Sequence, residues 1–167
     1  MDGALVIDKP ADFTSHDVVA RARHILHERR IGHTGTLDPF ATGVLVILLG
    51  KATRLSQFLT GVDKEYEAII RLGYSTDTGD RTGNPIEGPS TEVRKWTEEE
   101  IEAALQGLRG NIDQIPPMYS AKKVDGIKLY ELARRGESVE RKPVHVCIYD
   151  FAAIRPEGQL KIGRAHV

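Results

Sequence analysis

Apolar and polar positions change rhythm several times along this chain, and each change marks an element. Gly3 to Asp8 opens with a short apolar run that predicts a strand. Thr14 to Asp17 has capping-box logic, with Asp in place of the more usual Glu. It opens a predicted helix through about Glu28, with Val18, Val19, Ala22, Ile25 and Leu26 on one face. The unbroken run Val44 to Leu49 predicts a buried strand, and Lys51 to Leu59 a short helix after Gly50. Tyr66 to Leu72 is strand-like, whereas the Gly- and Pro-rich stretch Thr76 to Ser90 reads as a loop excursion. Thr97-Glu98-Glu99-Glu100 is a second capping box, opening a helix with Ile101, Ala104, Leu105 and Leu108 inside. Tyr119 to Val124 predicts a strand, and Gly126 introduces a helix that ends near Gly136. Pro143 to Ile154 and Gln159 to Ile162 alternate, as in a hairpin with its turn at Pro156 to Gly158. Strands and helices are interspersed without regular βαβ spacing, so the expected class is α+β.

Composition changes this picture little. A chain of 167 residues, 40% hydrophobic and 28% charged, is long enough for one compact domain with a real core. No apolar run approaches the roughly 18 residues of a membrane span, and no basic-then-apolar signal segment opens the chain. A cytoplasmic protein without membrane contact is expected. The one cysteine, Cys147, excludes an intramolecular disulfide and a Cys-based zinc cluster, and its alternating surroundings predict a core position. Net charge is −1, which does not advertise a nucleic-acid binder. Its distribution says more: the middle is acidic, while basic residues gather at Arg21, Arg23, Arg29 and Arg30 and again from Lys122 to Lys142. Such patches either track phosphates or form ordinary solvated faces.

One segment carries candidate chemistry. Gly32 to Gly43 places a single carboxylate, Asp38, in a glycine-bounded turn just before the apolar strand. Pro39 biases Asp38 away from helix, so the carboxylate is expected on a fixed, non-helical corner. Read from spacing alone, this is an Asx-type turn feeding a buried strand. Gly50-Lys51 has the look of a phosphate-binding loop, but Leu45 and Ala52 stand where that motif needs Gly and Ser or Thr. His24 and His27 are at helical spacing without an implied third ligand, so no metal site is expected.

The Gly32–Leu45 segment resembles the catalytic motif of the pseudouridine synthases of the TruB family, which act on the T loop of tRNA. Further blocks match in order: Asp8-Lys9-Pro10 with Thr14-Ser15, Asp63-Lys64-Glu65-Tyr66 with Ile69 to Gly73, Gln114 to Ala121, and Gly126 to Arg134. The similarity runs from about Gly3 to Ile162. It implies a mixed, mostly antiparallel sheet flanked by helices around a central RNA-binding cleft. It further implies isomerisation of uridine to pseudouridine at T-loop position fifty-five, with no cofactor and no metal.

By resemblance, Asp38 is the nucleophile, Tyr66 stacks on the target uracil and accepts the C5 proton, and His33 assists flipping. Without it, His33 would be a tuned surface group in a turn, and Tyr66 a core aromatic. Lys9 and Pro10 read as mainly structural, with RNA contact the alternative for Lys9. Lys122 and Lys123 either contact the RNA backbone or protect a sheet edge. The expected partner is tRNA, and a monomer is expected.

The family's catalytic domain continues past Val167, with an arginine motif and a C-terminal RNA-binding domain that this sequence does not contain. Residues 1–161 are therefore expected to be a partial catalytic domain. Lys161 to Val167 can be encoded by the opening bases of a common sequencing adapter, so 162–167 are expected to be a non-native tail. The competing function is a non-catalytic RNA-binding or tRNA-folding module.

Overall fold

The computed structural model describes residues 1–70, 72–73, 75–86, 96–120 and 122–154, together with the backbone of 161–166. Two compact units divide the chain, Met1–Val62 and Asp63–Val167.

In the first unit, β1 (Gly3–Lys9), β2 (Ile31–His33) and β3 (Gly43–Leu49) form an antiparallel sheet in the order β1-β3-β2. The apolar run takes the centre, as its continuous hydrophobicity requires. Leu45, Ile47 and Leu49 alternate onto one face and pack with Ile31 and with Val18 and Val19 of α1 (Ser15–Leu26). Thr14 caps that helix, and the expected capping box with Asp17 is present. Ile25 was expected inside but is 62% exposed. The buried stripe runs through Val18, Val19, Ala22 and Leu26, and Ile25 falls outside it. After β3 the chain makes a 3-10 turn (Gly50–Leu55) and one α turn, α2 (Ser56–Leu59), in place of a single helix. Gly50 begins it at φ +57, where a side chain would also collide with Met1 and Asp2 folded across it.

In the second unit, every strand pairing among the described residues is again antiparallel. β4 (Glu65–Ile69) and β9 (Asp150–Ile154) flank β10 (Lys161–His166), and β5 (Gly110–Gln114) pairs with β8 (Val144–Ile148). α3 (Glu98–Gln106) starts at the Thr97–Glu100 capping box and buries Ile101 and Leu105 against Phe151 of β9. Arg109 ties the same layer together, pairing with Glu102 and donating from Nε to the Phe151 carbonyl at 2.8 Å. Ala104, within α3, and Leu108 are exposed, contrary to the helical pattern; for Leu108 the reason is that α3 stops at Gln106, before its face reaches that residue.

Other sequence expectations also shift. The alternating stretch after Pro143 breaks at Tyr149: its first half joins β5, and only its second half makes the hairpin ladder with β10. The turn expected at Pro156 to Gly158 lies outside the described residues, as do Arg71, residues 87–90 of the loop excursion, Ala121 and Val167. The described part of the excursion is an organised loop. Asp80 Oδ1 accepts from Thr82 N–H at 2.8 Å, and Thr76 bridges Pro85. Among the described residues of the strand expected over 119–124, only β6 (Lys123–Val124) forms, paired with β7 (Ile127–Lys128). Asp125 (φ 51) and Gly126 (φ 84) make the tight turn between them, so Gly126 closes a hairpin and α4 (Leu129–Arg134) follows. Cys147 is half-buried, not core. Among the described residues, no helix is long and apolar enough to cross a membrane.

Candidate active site around Asp38

Asp38 sits on the segment between β2 and β3, outside regular structure, with its side chain exposed. The backbone on both sides of it is fixed. Leu37 donates its N–H to Ser15 Oγ at 3.0 Å, and that hydroxyl donates back to the Leu37 carbonyl at 3.3 Å. The Pro39 carbonyl accepts from Asp12 N–H at 2.8 Å and from Lys9 Nζ at 3.0 Å. The Asp38 carbonyl itself accepts from Ala41 N–H at 3.0 Å, closing the turn. The expectation of a fixed corner is met: an accessible carboxylate stands on a peptide held at three consecutive residues.

Lys9 explains much of that rigidity. Strand alternation puts it on the same face as Ile7, which packs on the core, so a lysine occupies a position that would ordinarily be apolar. It is fully buried. Its ammonium has three donors, and three carbonyls meet them: Pro10 at 3.0 Å, Phe13 at 2.5 Å and Pro39 at 3.0 Å. A buried charge needs such partners. The RNA-contact alternative for Lys9 is corrected here, because no part of the side chain reaches the surface. Lys9 braces the loop.

His33 closes β2, paired with Ile47 of β3, so it is a strand residue and not a turn residue. Its ring lies edge-to-face against His16, with centroids 5.9 Å apart and planes at 82°. Nδ1 is buried and has no hydrogen-bond partner among the described residues. Lys9, His33 and Asp38 thus belong to the first unit. Tyr66, Lys122 and Lys123 belong to the second. Tyr66 lies on β4, a strand exposed along its length, and is itself 46% exposed, so it is not the core aromatic that a strand position suggests. Lys122 and Lys123 are exposed, the first just before β6 and the second its opening residue, paired with Lys128.

Residues 23–165 match the TruB family pseudouridylate synthase N-terminal domain. The chain belongs to the TruB family. It is 52% identical over 155 residues to tRNA pseudouridine synthase B of Opitutus terrae, covering 93% of this chain and 64% of the relative. It is 49% identical over 166 residues to the protein of the same name from Solibacter usitatus, covering 99% and 56%. A Bacillus thuringiensis relative of that name is 49% identical over 92% of this chain and 50% of its own length. The TruB-family chain therefore spans half to just under two thirds of these curated relatives. Among solved structures it resembles a chain of a Cbf5-Nop10-Gar1 complex, with TM-score 0.69 and 29% identity over 99% of this chain and 39% of that one. A chain in a structure of H/ACA RNP bound to a substrate RNA containing 2'-deoxyuridine follows at 0.65 and 26%, covering 98% and 37%. These likenesses place the mixed, antiparallel architecture in the pseudouridine synthase fold.

The geometry makes two further residues prominent: Ser15, which the sequence placed in a matched block without a role, and His16, which it passed over. Ser15 had a signal: it falls at helical spacing on the apolar face with Val18 and Val19, where a polar side chain needs a partner. His16 had none, because its contact with His33 joins segments distant in sequence.

Proposed function

We propose that the protein containing this chain isomerises uridine to pseudouridine in the T loop of tRNA, at position fifty-five. The observation that carries this is Asp38: a solvent-accessible carboxylate on a loop braced at Leu37, Asp38 and Pro39, in a chain of the TruB family. In the proposed reaction the N1–C1′ bond of uridine breaks and a C5–C1′ bond forms. The C5 proton leaves, a proton is taken up at N1, and the atoms balance without an external reactant. Asp38 supplies the oxygen nucleophile and is released unchanged. Tyr66 stacks on the flipped uracil and accepts the C5 proton, while His33 offsets part of the few kcal/mol that extrusion costs. Lys122 and Lys123 contact phosphates. The proposed setting is the cytoplasm, and the proposed state a monomer.

Tritium release from a T-loop RNA carrying 5-tritiated uridine tests the proposal directly. Release by the chain and none by Asp38→Asn is the expected result. Equal release by both removes Asp38 from the chemistry, and RNA binding without release favours the non-catalytic module.

A further inference from the structure

The proposed chemistry gives no task to Ser15 or His16, yet each touches a segment that carries one. Ser15 is 3% exposed, and its hydroxyl engages both the N–H and the carbonyl of Leu37, the residue before Asp38. A serine in the first turn of a helix usually serves the helix end itself. Here Thr14 does that, with its hydroxyl accepting from Asp17 N–H at 3.0 Å. Ser15 is left to face the loop. His16, the next residue, sets its ring against His33 at 5.9 Å. His33 Nδ1 is buried without a hydrogen-bond partner among the described residues, so no bond at that atom fixes the imidazole, and the His16 ring edge is packed against it. The reciprocal Thr14–Asp17 capping box locks the turn that displays both side chains.

We infer that the first turn of α1 is a positioning device, with Ser15 setting the Asp38 peptide and His16 setting the His33 ring. Its catalytic consequence rests on the proposed synthase reading; its geometric content does not. A misplacement of about 1 Å in a reacting group can lower a rate about a hundredfold. Loss of either side chain should therefore act on the chemical step more than on RNA binding.

The test compares Ser15→Ala, Ser15→Thr, His16→Ala and His16→Phe by single-turnover tritium release and by amide exchange at Leu37 in RNA-free protein. Ser15→Ala should speed Leu37 exchange at least about tenfold and lower the saturated rate about ten- to a hundredfold, with KM held within about twofold. Ser15→Thr, which keeps the hydroxyl, should recover both. His16→Ala should lower the rate and His16→Phe, which keeps a ring edge, should restore it. Unchanged Leu37 exchange in Ser15→Ala overturns the inference, and so does an undiminished rate in Ser15→Ala or His16→Ala. If the unsubstituted chain releases no tritium, the synthase reading fails for it, and Leu37 exchange then decides the positioning role alone.

Discussion

Lys9 is the residue whose replacement should say most about how the loop is held. Its ammonium, at the end of a fully buried side chain, gathers the carbonyls of Pro10, Phe13 and Pro39 around one point. Lys9→Met fills similar volume but removes every donor: Pro39 keeps only its bond from Asp12 N–H, Pro10 and Phe13 lose their lysine partner, and such losses are destabilising. We expect a loss of about 2–4 kcal/mol, read as a lower urea midpoint at unchanged slope. Lys9→Arg should not rescue it, because a planar fork does not fit three converging carbonyls. A wild-type midpoint in Lys9→Met would remove the bracing role. Asp38→Asn should behave oppositely. An exposed side chain can be exchanged within about 0.5 kcal/mol, so its loss of tritium release should come without a change in Tm.

At the scale of elements, the capping box of α1 predicts a pH dependence. The hydroxyl and backbone N–H of Thr14 hold the Asp17 carboxyl below the usual carboxylate range. A group with a depressed folded pKa stabilises above its unfolded pKa of about 3.9 and loses that contribution as pH falls through the folded value. The Tm advantage of the protein over Asp17→Asn should therefore be constant near neutrality and shrink below about pH 4. An advantage that grows on acidification would contradict this. A second element-scale prediction concerns Gly126, at φ 84 in the β6–β7 turn: Gly126→Ala should destabilise the hairpin by about 1 kcal/mol, seen as faster amide exchange at Leu129. Both elements also show where the sequence was legible. Thr14–Asp17 and Thr97–Glu100 were readable because caps are local chemistry, and Val44 to Leu49 because a run that apolar has only the sheet centre to occupy. The Asp125-Gly126 turn was equally local and was misread as a helix start. β5, and the splitting of the stretch after Pro143 between two ladders, could not be read locally. Gly110–Gln114 is mostly polar, and its pairing with Val144–Ile148 is set by contacts distant in sequence. For the candidate site, Asp38 and His33 were nominated through motif resemblance. The bracing by Lys9 and Ser15 required knowing which backbone atoms meet them.

At the scale of the whole molecule, the charge distribution decides how the chain would meet RNA. A net charge of −1 gives little attraction overall, so affinity must come from local cations placed where phosphates pass. Lys122 and Lys123 are exposed, adjacent and attached to a short hairpin, so their removal should leave both cores undisturbed. Each lysine that neutralises a phosphate releases counterions, and its loss lowers the salt slope of binding by about one. The double variant Lys122→Ala/Lys123→Ala should therefore bind T-loop RNA more weakly, with the slope of log K against log salt reduced by about two and Tm unchanged. The loss should be nearly the same for RNAs of different loop sequence, since phosphates carry no base identity. An unaltered slope would return these lysines to edge protection: a charged pair at the start of a two-residue strand, guarding a sheet edge against pairing with another chain. A loss confined to one loop sequence would instead mean that they read bases. Salt titration separates the three because only phosphate contact couples affinity to released ions while ignoring sequence.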